Sequence, residues 1–267
     1  APHVHGHGRR VSDPASRPPA CAGAEAGAGV ADWYVRALGY PYDVGRTPLL
    51  FRPGGTAPLP DDWSPGGRVP VMAVGSNRAA GQLARKFAGW PADTEIPVTV
   101  AEVVDHDVVY SAHFASYGAV PARLAQAPGV RVEVGITWLT PAQLDRMHKT
   151  EGTANYAFQL TGEIEVVDRR VGRLGPVGHY AGKHPPLRLG GAPLALAAIA
   201  AEGRRGPAAH QDTVLGLARD RLDPQAELAV FLRRIVEDDA VRGRLSRQLR
   251  ALGDLLPGHD QGPDGNP

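Results

Sequence analysis

Val69-Pro70-Val71-Met72-Ala73-Val74-Gly75-Ser76-Asn77 reads as a buried strand that ends in a tight turn. Pro70 belongs near the strand's start, where its missing N–H costs no ladder bond. After the turn, Ala80, Leu83, Ala84 and Phe87 recur at helical spacing. Strand, turn and helix follow one another here within about twenty residues, and the rest of the chain can be read outward from them.

Toward the C-terminus, residues 98–104 and 108–113 read as strands. Residues 131–139 form another, with Val132, Val134, Ile136 and Trp138 on one face. A short helix comes next. Thr140 is its expected N-cap, Pro141 suits the first turn, Gln143 completes a capping box, and Gly152 closes it. Residues 156–167 read as a strand and 176–191 as loop. Residues 193–202, 211–222 and 224–252 read as helices, the last with Leu228, Leu232, Ile235, Leu245, Leu249 and Leu252 at near-helical spacing. The class is α+β.

Residues 1–30 lack periodicity and are expected to be disordered, as is the tail 257–267. Within the first 30, His3, His5 and His7 read as part of a solvated tail. Residues 32–38 predict a short helix. The following Tyr40-Pro41-Tyr42 and Leu49-Leu50-Phe51 block is expected to pack on the main domain or cover a site, and residues 53–68 read as a linker. The expected organisation is an N-terminal extension over 1–68, a central domain over 69–192, and C-terminal helices over 193–256 packing on it.

Composition narrows the function. The net charge is +1, and no long run of Lys or Arg occurs. That argues against a surface built to face phosphates, so no nucleic-acid partner is expected. Arg233, Arg234, Arg244, Arg247 and Arg250 alternate with acids and read as a solvated helix face. No stretch approaches the ~20 apolar residues of a membrane helix, and residues 1–30 lack a signal peptide's apolar segment. Cys21 is the single cysteine, so an internal disulfide is impossible and a reducing, cytoplasmic setting fits.

Two features carry chemistry. In the Val74-Gly75-Ser76-Asn77 turn, glycine lets the backbone bend and a ligand approach closely. Successive N–H groups there suit a carboxylate or an oxyanion. Glu151, at the end of the capped helix, faces the negative end of the helix dipole. This disfavours its charged form by up to ~1 kcal/mol and suits a proton carrier. His106, Asp107 and His113 do not complete a zinc-like spacing and read as structural or surface residues; no metal site is expected. Tyr180 and His184 are further candidates for substrate contact. Gly172, Gly175 and Gly178 read as turn glycines. Neither Ser76 nor Ser116 has the context of a hydrolase nucleophile.

Order and spacing add to these features. Val-Met-Ala-Val-Gly-Ser-Asn resembles the signature strand and loop of the γ-glutamylcyclotransferase family, and Glu151-Gly152, 76 positions beyond Gly75, resembles that family's catalytic Glu-Gly pair. Between them, Ser116-Tyr117-Gly118-Ala119-Val120-Pro121-Ala122 and the Pro128–Leu139 stretch resemble the segments leading into the family's central strands. The resemblance covers about residues 69–170. It implies a small mixed β-barrel with flanking helices, no metal or organic cofactor, and a γ-glutamyl small-molecule substrate cyclised to 5-oxoproline and a free amine. By the motif match, Glu151 would be the general acid and base, and Val74, Gly75, Ser76, Asn77, Tyr117 and Tyr156 would bind substrate. The family's Tyr before Gly-Ser-Asn is Val74 here, and its Gly-Gly is Gly118-Ala119. Two rival readings stay open: a non-catalytic binding module using the same pocket, and a structural or interaction protein.

Overall fold

The computed structural model describes residues 32–256. The readings for residues 1–30, Cys21 among them, and for the tail from Pro257 lie outside the described residues.

The long antiparallel pair β4 (Ile96–Tyr110) and β5 (Ala122–Leu139) forms the spine of an α+β fold. The sequence signals two strands where β4 is one, because Asp105-His106-Asp107 reads as a break. The structure absorbs that break as an irregularity between Val104 and His106. Asp105 adopts φ 56°, a conformation Asp tolerates better than most residues, and its carboxylate accepts from the Gly129 N–H at 2.7 Å. Pro128-Gly129 is likewise inside β5 at this irregularity and does not separate two strands.

β1 (Leu49–Arg52) and β2 (Gly55–Pro58) form a hairpin, and β1 pairs with the start of β4. The stretch read as a linker therefore contributes a strand to the sheet. β3 (Val69–Ala73) runs antiparallel to β5 and parallel to β9 (Val177–Gly182), which pairs with β6 (Tyr156–Thr161). β9 occupies a stretch read as loop; its Val-Gly-His-Tyr-Ala-Gly lacks the apolar alternation that would reveal it. β7 (Val166–Asp168) pairs with β4 and with β8 (Gly172–Arg173). Further on lie the short β10 (Arg188–Leu189), β11 (Ala192–Pro193), β12 (Ala195–Leu196), β13 (Ala201–Glu202) and β14 (Ala208–Ala209). The helix expected over 193–202 does not form. Those alanine-rich residues instead add short strands to β4 and β5, a tertiary override of helix propensity.

The main sheet path runs β14-β12-β4-β5-β3-β9-β6. Its ends do not pair with each other, so the described residues form an open sheet and not the expected closed barrel. Ile136, Val134, Val132 and Trp138 lie in one core cluster, as their alternation predicts.

Six α-helices occur among the described residues: α1 (Asp32–Leu38), α2 (Ala80–Lys86), α3 (Pro141–Thr150), α4 (Gln211–Leu222), α5 (Leu228–Glu237) and α6 (Asp239–Leu252). The capping box of α3 forms as read: the Gln143 N–H donates to Thr140 Oγ1, and the Thr140 N–H to Gln143 Oε1. Its C-cap is Glu151, one residue before the expected Gly152. The single helix expected over 224–252 is two helices. Asp238 breaks it by taking an extended backbone and capping α6 with its carboxylate, which accepts from Ala240 N and Val241 N. α5 and α6 bury Phe231, Leu232, Ile235, Leu245 and Leu249 in the core shared with the sheet. The Ser246 hydroxyl accepts from the Phe114 N–H at 3.0 Å, tying α6 to the loop after β4.

Candidate active site

The strand-turn-helix at Val69 positions the first wall of a cavity of about 370 Å³. β3 ends at Ala73, Gly75 bends the chain, and Ser76–Arg78 make a single 3-10 turn before α2. Glycine is required at 75 by close approach. A Cβ there would lie 2.1 Å from the Tyr40 hydroxyl oxygen. That hydroxyl accepts from the Ala122 N–H at 2.9 Å, and the Tyr156 hydroxyl donates to the Ala122 carbonyl at 3.0 Å. Two tyrosines far apart in sequence thus hold both backbone groups of the residue that opens β5.

Behind the turn, Arg78 fills the space left by Gly135, whose Cβ would stand 2.6 Å from that of Arg78. Arg78 donates to the Val44 carbonyl and to the buried Glu133. Burial works against charge on Glu133, but Arg46, Arg78 and Arg169 outweigh it and hold the carboxyl below its usual range. This ionic cluster anchors the turn from the side away from the cavity.

The second wall comes from the end of α3. Glu151 is 14% exposed, and its Oε1 accepts from Asn77 Nδ2 at 2.7 Å and from Lys86 Nζ at 2.5 Å. Lys86, the last residue of α2, also reaches Thr150 Oγ1 at 3.3 Å. Its carbonyl accepts from Arg146 Nε at 2.7 Å, which locks α2 to α3. Both anchoring bonds fall on one carboxylate oxygen. Glu151 Oε2 takes no hydrogen bond among the described residues, so one oxygen is held and the other is unbonded.

Tyrosines close the cavity. Tyr40, Tyr117, Tyr156 and Tyr180 all border it, and burial pushes each hydroxyl above its usual range. At these positions they are neutral hydrogen-bonding groups near pH 7. Tyr180 is fixed through His148 Nδ1 at 2.9 Å. The far side holds His113, with its Nδ1 3.1 Å from Ser111 Oγ and its ring 4.7 Å from that of His184. His184 Nε2 lies 2.9 Å from the Asn155 side-chain oxygen Oδ1. Burial, then the nearby His184 and Arg250, push the His113 imidazole down to about 3. Arg242 of α6 also borders the cavity, already paired with Asp239 and bonded to the Ile235 carbonyl.

All seven residues singled out for catalysis or substrate binding border this one cavity: Val74, Gly75, Ser76, Asn77, Tyr117, Glu151 and Tyr156. Tyr180 joins them, while His184 stands behind His113. Of the two alternatives for His113, structural or surface, its burial rules out the second: it is 2% exposed, and it is also part of the lining. His106 does not join it; its Nδ1 meets the Val104 carbonyl, and Asp107 is paired with Arg204. Among the described residues no group of three or more metal-ligating side chains forms. Neither Ser76 nor Ser116 is hydrogen-bonded to a histidine among them. Sequence reasoning missed Lys86, Asn155 and Arg242, and it placed Tyr40 only within a block expected to pack on the main domain or cover a site. Lys86 had a usable signal, a cation in the last turn of the helix that follows the loop. Arg242 had none, because only the fold brings it in. Among the described residues, no helix is long and apolar enough to cross a membrane.

No protein-family model matches the chain, and no curated protein matches it. Among solved structures, a chain named Gamma-glutamyl cyclotransferase is similar to it, at 15% sequence identity and a TM-score of 0.34. The similarity covers 45% of this chain and 70% of that one.

Proposed function

We propose that this chain is a γ-glutamylcyclotransferase-like enzyme that converts a γ-glutamyl amine or peptide into 5-oxoproline and a free amine. The observation that carries the reading is the 2.7 Å hydrogen bond from Asn77 to Glu151, which joins the glycine turn and the helix-end carboxylate at one cavity. In this reading residues 69–192 form the catalytic domain, and the backbone of Val74–Asn77, with Tyr117 and Tyr156, holds the glutamyl head.

The substrate's α-amino nitrogen attacks its own γ-carbonyl carbon. A C–N bond forms within a five-membered ring, and the C–N bond to the leaving amine breaks. Glu151 takes the proton shed by the attacking nitrogen and returns it to the leaving nitrogen, so the enzyme is unchanged over the cycle. Ring closure is intramolecular, and a cavity that holds the extended chain folded contributes chiefly by orientation. One carboxylate serves as base and then acid, typically worth about 10²- to 10⁴-fold. This chemistry requires neither metal nor organic cofactor.

A second reading has its own support. The Lys86–Glu151 pair engages the carboxylate with a buried cation, as a site that binds a ligand without turning it over would also allow. Purified protein incubated with glutathione, γ-glutamyl amino acids and γ-glutamyl amines, with 5-oxoproline as the readout, separates the two. Production that is lost in a folded Glu151→Gln variant supports the enzyme. Binding without production supports the binding module.

A further inference from the structure

The mechanism above leaves His113 unused, although it is buried and borders the cavity. We infer that His113 is a ligand-binding residue whose Nε2–H donates to the α-carboxylate of the group held in the cavity. The inference rests on the glutamyl reading for the identity of that carboxylate.

The direction of the hydrogen bond follows from its partners. Ser111 is fully buried, and its hydroxyl meets a single partner among the described residues, His113 Nδ1. If Nδ1–H donated to Oγ, the serine hydrogen would have no acceptor, a costly state for a buried group. If the hydroxyl donates to Nδ1, both atoms are satisfied, and in the neutral ring the hydrogen must sit on Nε2. Burial keeps the ring neutral at physiological pH, so this is its working tautomer. Nε2 makes no hydrogen bond among the described residues and is not shut away from solvent. It is a donor without an acceptor on the wall of a cavity.

The cavity's charge explains why a neutral donor would meet a carboxylate. The two cations on its wall are already paired within the protein, Lys86 with Glu151 and Arg242 with Asp239. An incoming carboxylate therefore meets uncharged N–H and O–H groups. His113 is well built for the task. Its loop is fixed by the Phe114 N–H to Ser246 bond and by the Ala115 N–H to Ala119 carbonyl bond at 2.8 Å, and its ring is flanked by His184 and Tyr156.

The test compares γ-glutamyl-L-alanine with 4-aminobutyryl-L-alanine, which has the same chain and nucleophile but lacks the α-carboxylate. The wild type is expected to favour the first in kcat/KM by about 10- to 100-fold, the range of one hydrogen bond to a charged group. His113→Phe keeps a ring of similar shape and should erase that preference by lowering only the first. His113→Gln restores an N–H near Nε2 and should recover much of it. Equal losses on both compounds, or no loss, overturn the inference. So does Arg242→Gln erasing the preference while His113→Phe keeps it. Failure of the wild type to turn over either compound sinks the cyclase reading alone. Titration calorimetry of the two compounds with the same variants then decides His113: the same pattern in Kd upholds it, and binding without preference, or no binding, overturns it.

Discussion

Lys86 Nζ lies 2.5 Å from Glu151 Oε1, joining the last residue of one helix to the residue that ends another. Both side chains are largely removed from water. Removing one partner leaves the other's charge without compensation, which in buried pairs costs more than the pair itself contributes.

Lys86→Met is therefore expected to destabilise the fold by about 3 kcal/mol. Lys86→Met combined with Glu151→Gln should recover much of that loss, because no unpaired charge remains. Urea unfolding of the two single variants and the double variant checks the coupling. Additive losses would show that the pair does not act as a unit.

Gly75→Ala places a methyl group where the Tyr40 hydroxyl stands. Tyr40 must move, and the Ala122 N–H loses its acceptor. A loss of roughly 1–3 kcal/mol is expected, read as a lower thermal midpoint. Removing the hydroxyl with Tyr40→Phe in the Gly75→Ala background should relieve the overlap in part. The double variant should therefore be more stable than the sum of the single losses.

Acid should weaken the fold through His113. The folded protein takes up its proton only near pH 3, whereas an exposed histidine does so near 6.5. Between those values the unfolded chain holds more protons, so stability falls as pH drops. From pH 7 to pH 5 this residue alone accounts for a loss of about 2 kcal/mol. His179 and His184 are pushed in the same direction by burial and add to it. Denaturant titrations at the two pH values should show a smaller drop in His113→Gln than in the wild type.

Glu133→Gln tests the ionic cluster behind the turn. The substitution leaves Arg78, 3% exposed, facing no carboxylate. A loss of about 3 kcal/mol is expected, with Arg78 and the adjoining Ser76-Asn77 turn loosened. Amide hydrogen exchange over residues 75–78 should quicken more than it does in α5, which packs elsewhere.

The legible parts of this molecule are those whose signals are local. The Thr140–Gln143 capping box, the Val69–Ala73 strand and the alternation from Val132 to Trp138 each declare themselves within a few residues. Glu151 and the Gly75 turn could be paired because two local signals stood in a recognisable order. What stayed hidden depends on partners distant in the chain. β9 lacks an apolar alternation and is strand because β3 and β6 flank it. The 193–202 stretch has alanine's helix propensity but is captured by β4 and β5. Asp238 looks like part of a helix until it caps the next one. His113 sits on a segment whose residue pattern signals no cavity; its value comes from the buried Ser111 beside it.

The cavity takes Tyr40 from near the first described residue and Arg242 from near the last. During synthesis, the ribosome must therefore release almost the whole described chain before this chamber can be completed. Until α6 emerges, the loop carrying His113 also lacks its tie to Ser246. A nascent or clipped chain lacking α6 holds the glycine turn and Glu151 side by side without a finished chamber, so the site is acquired only once α6 has joined the fold.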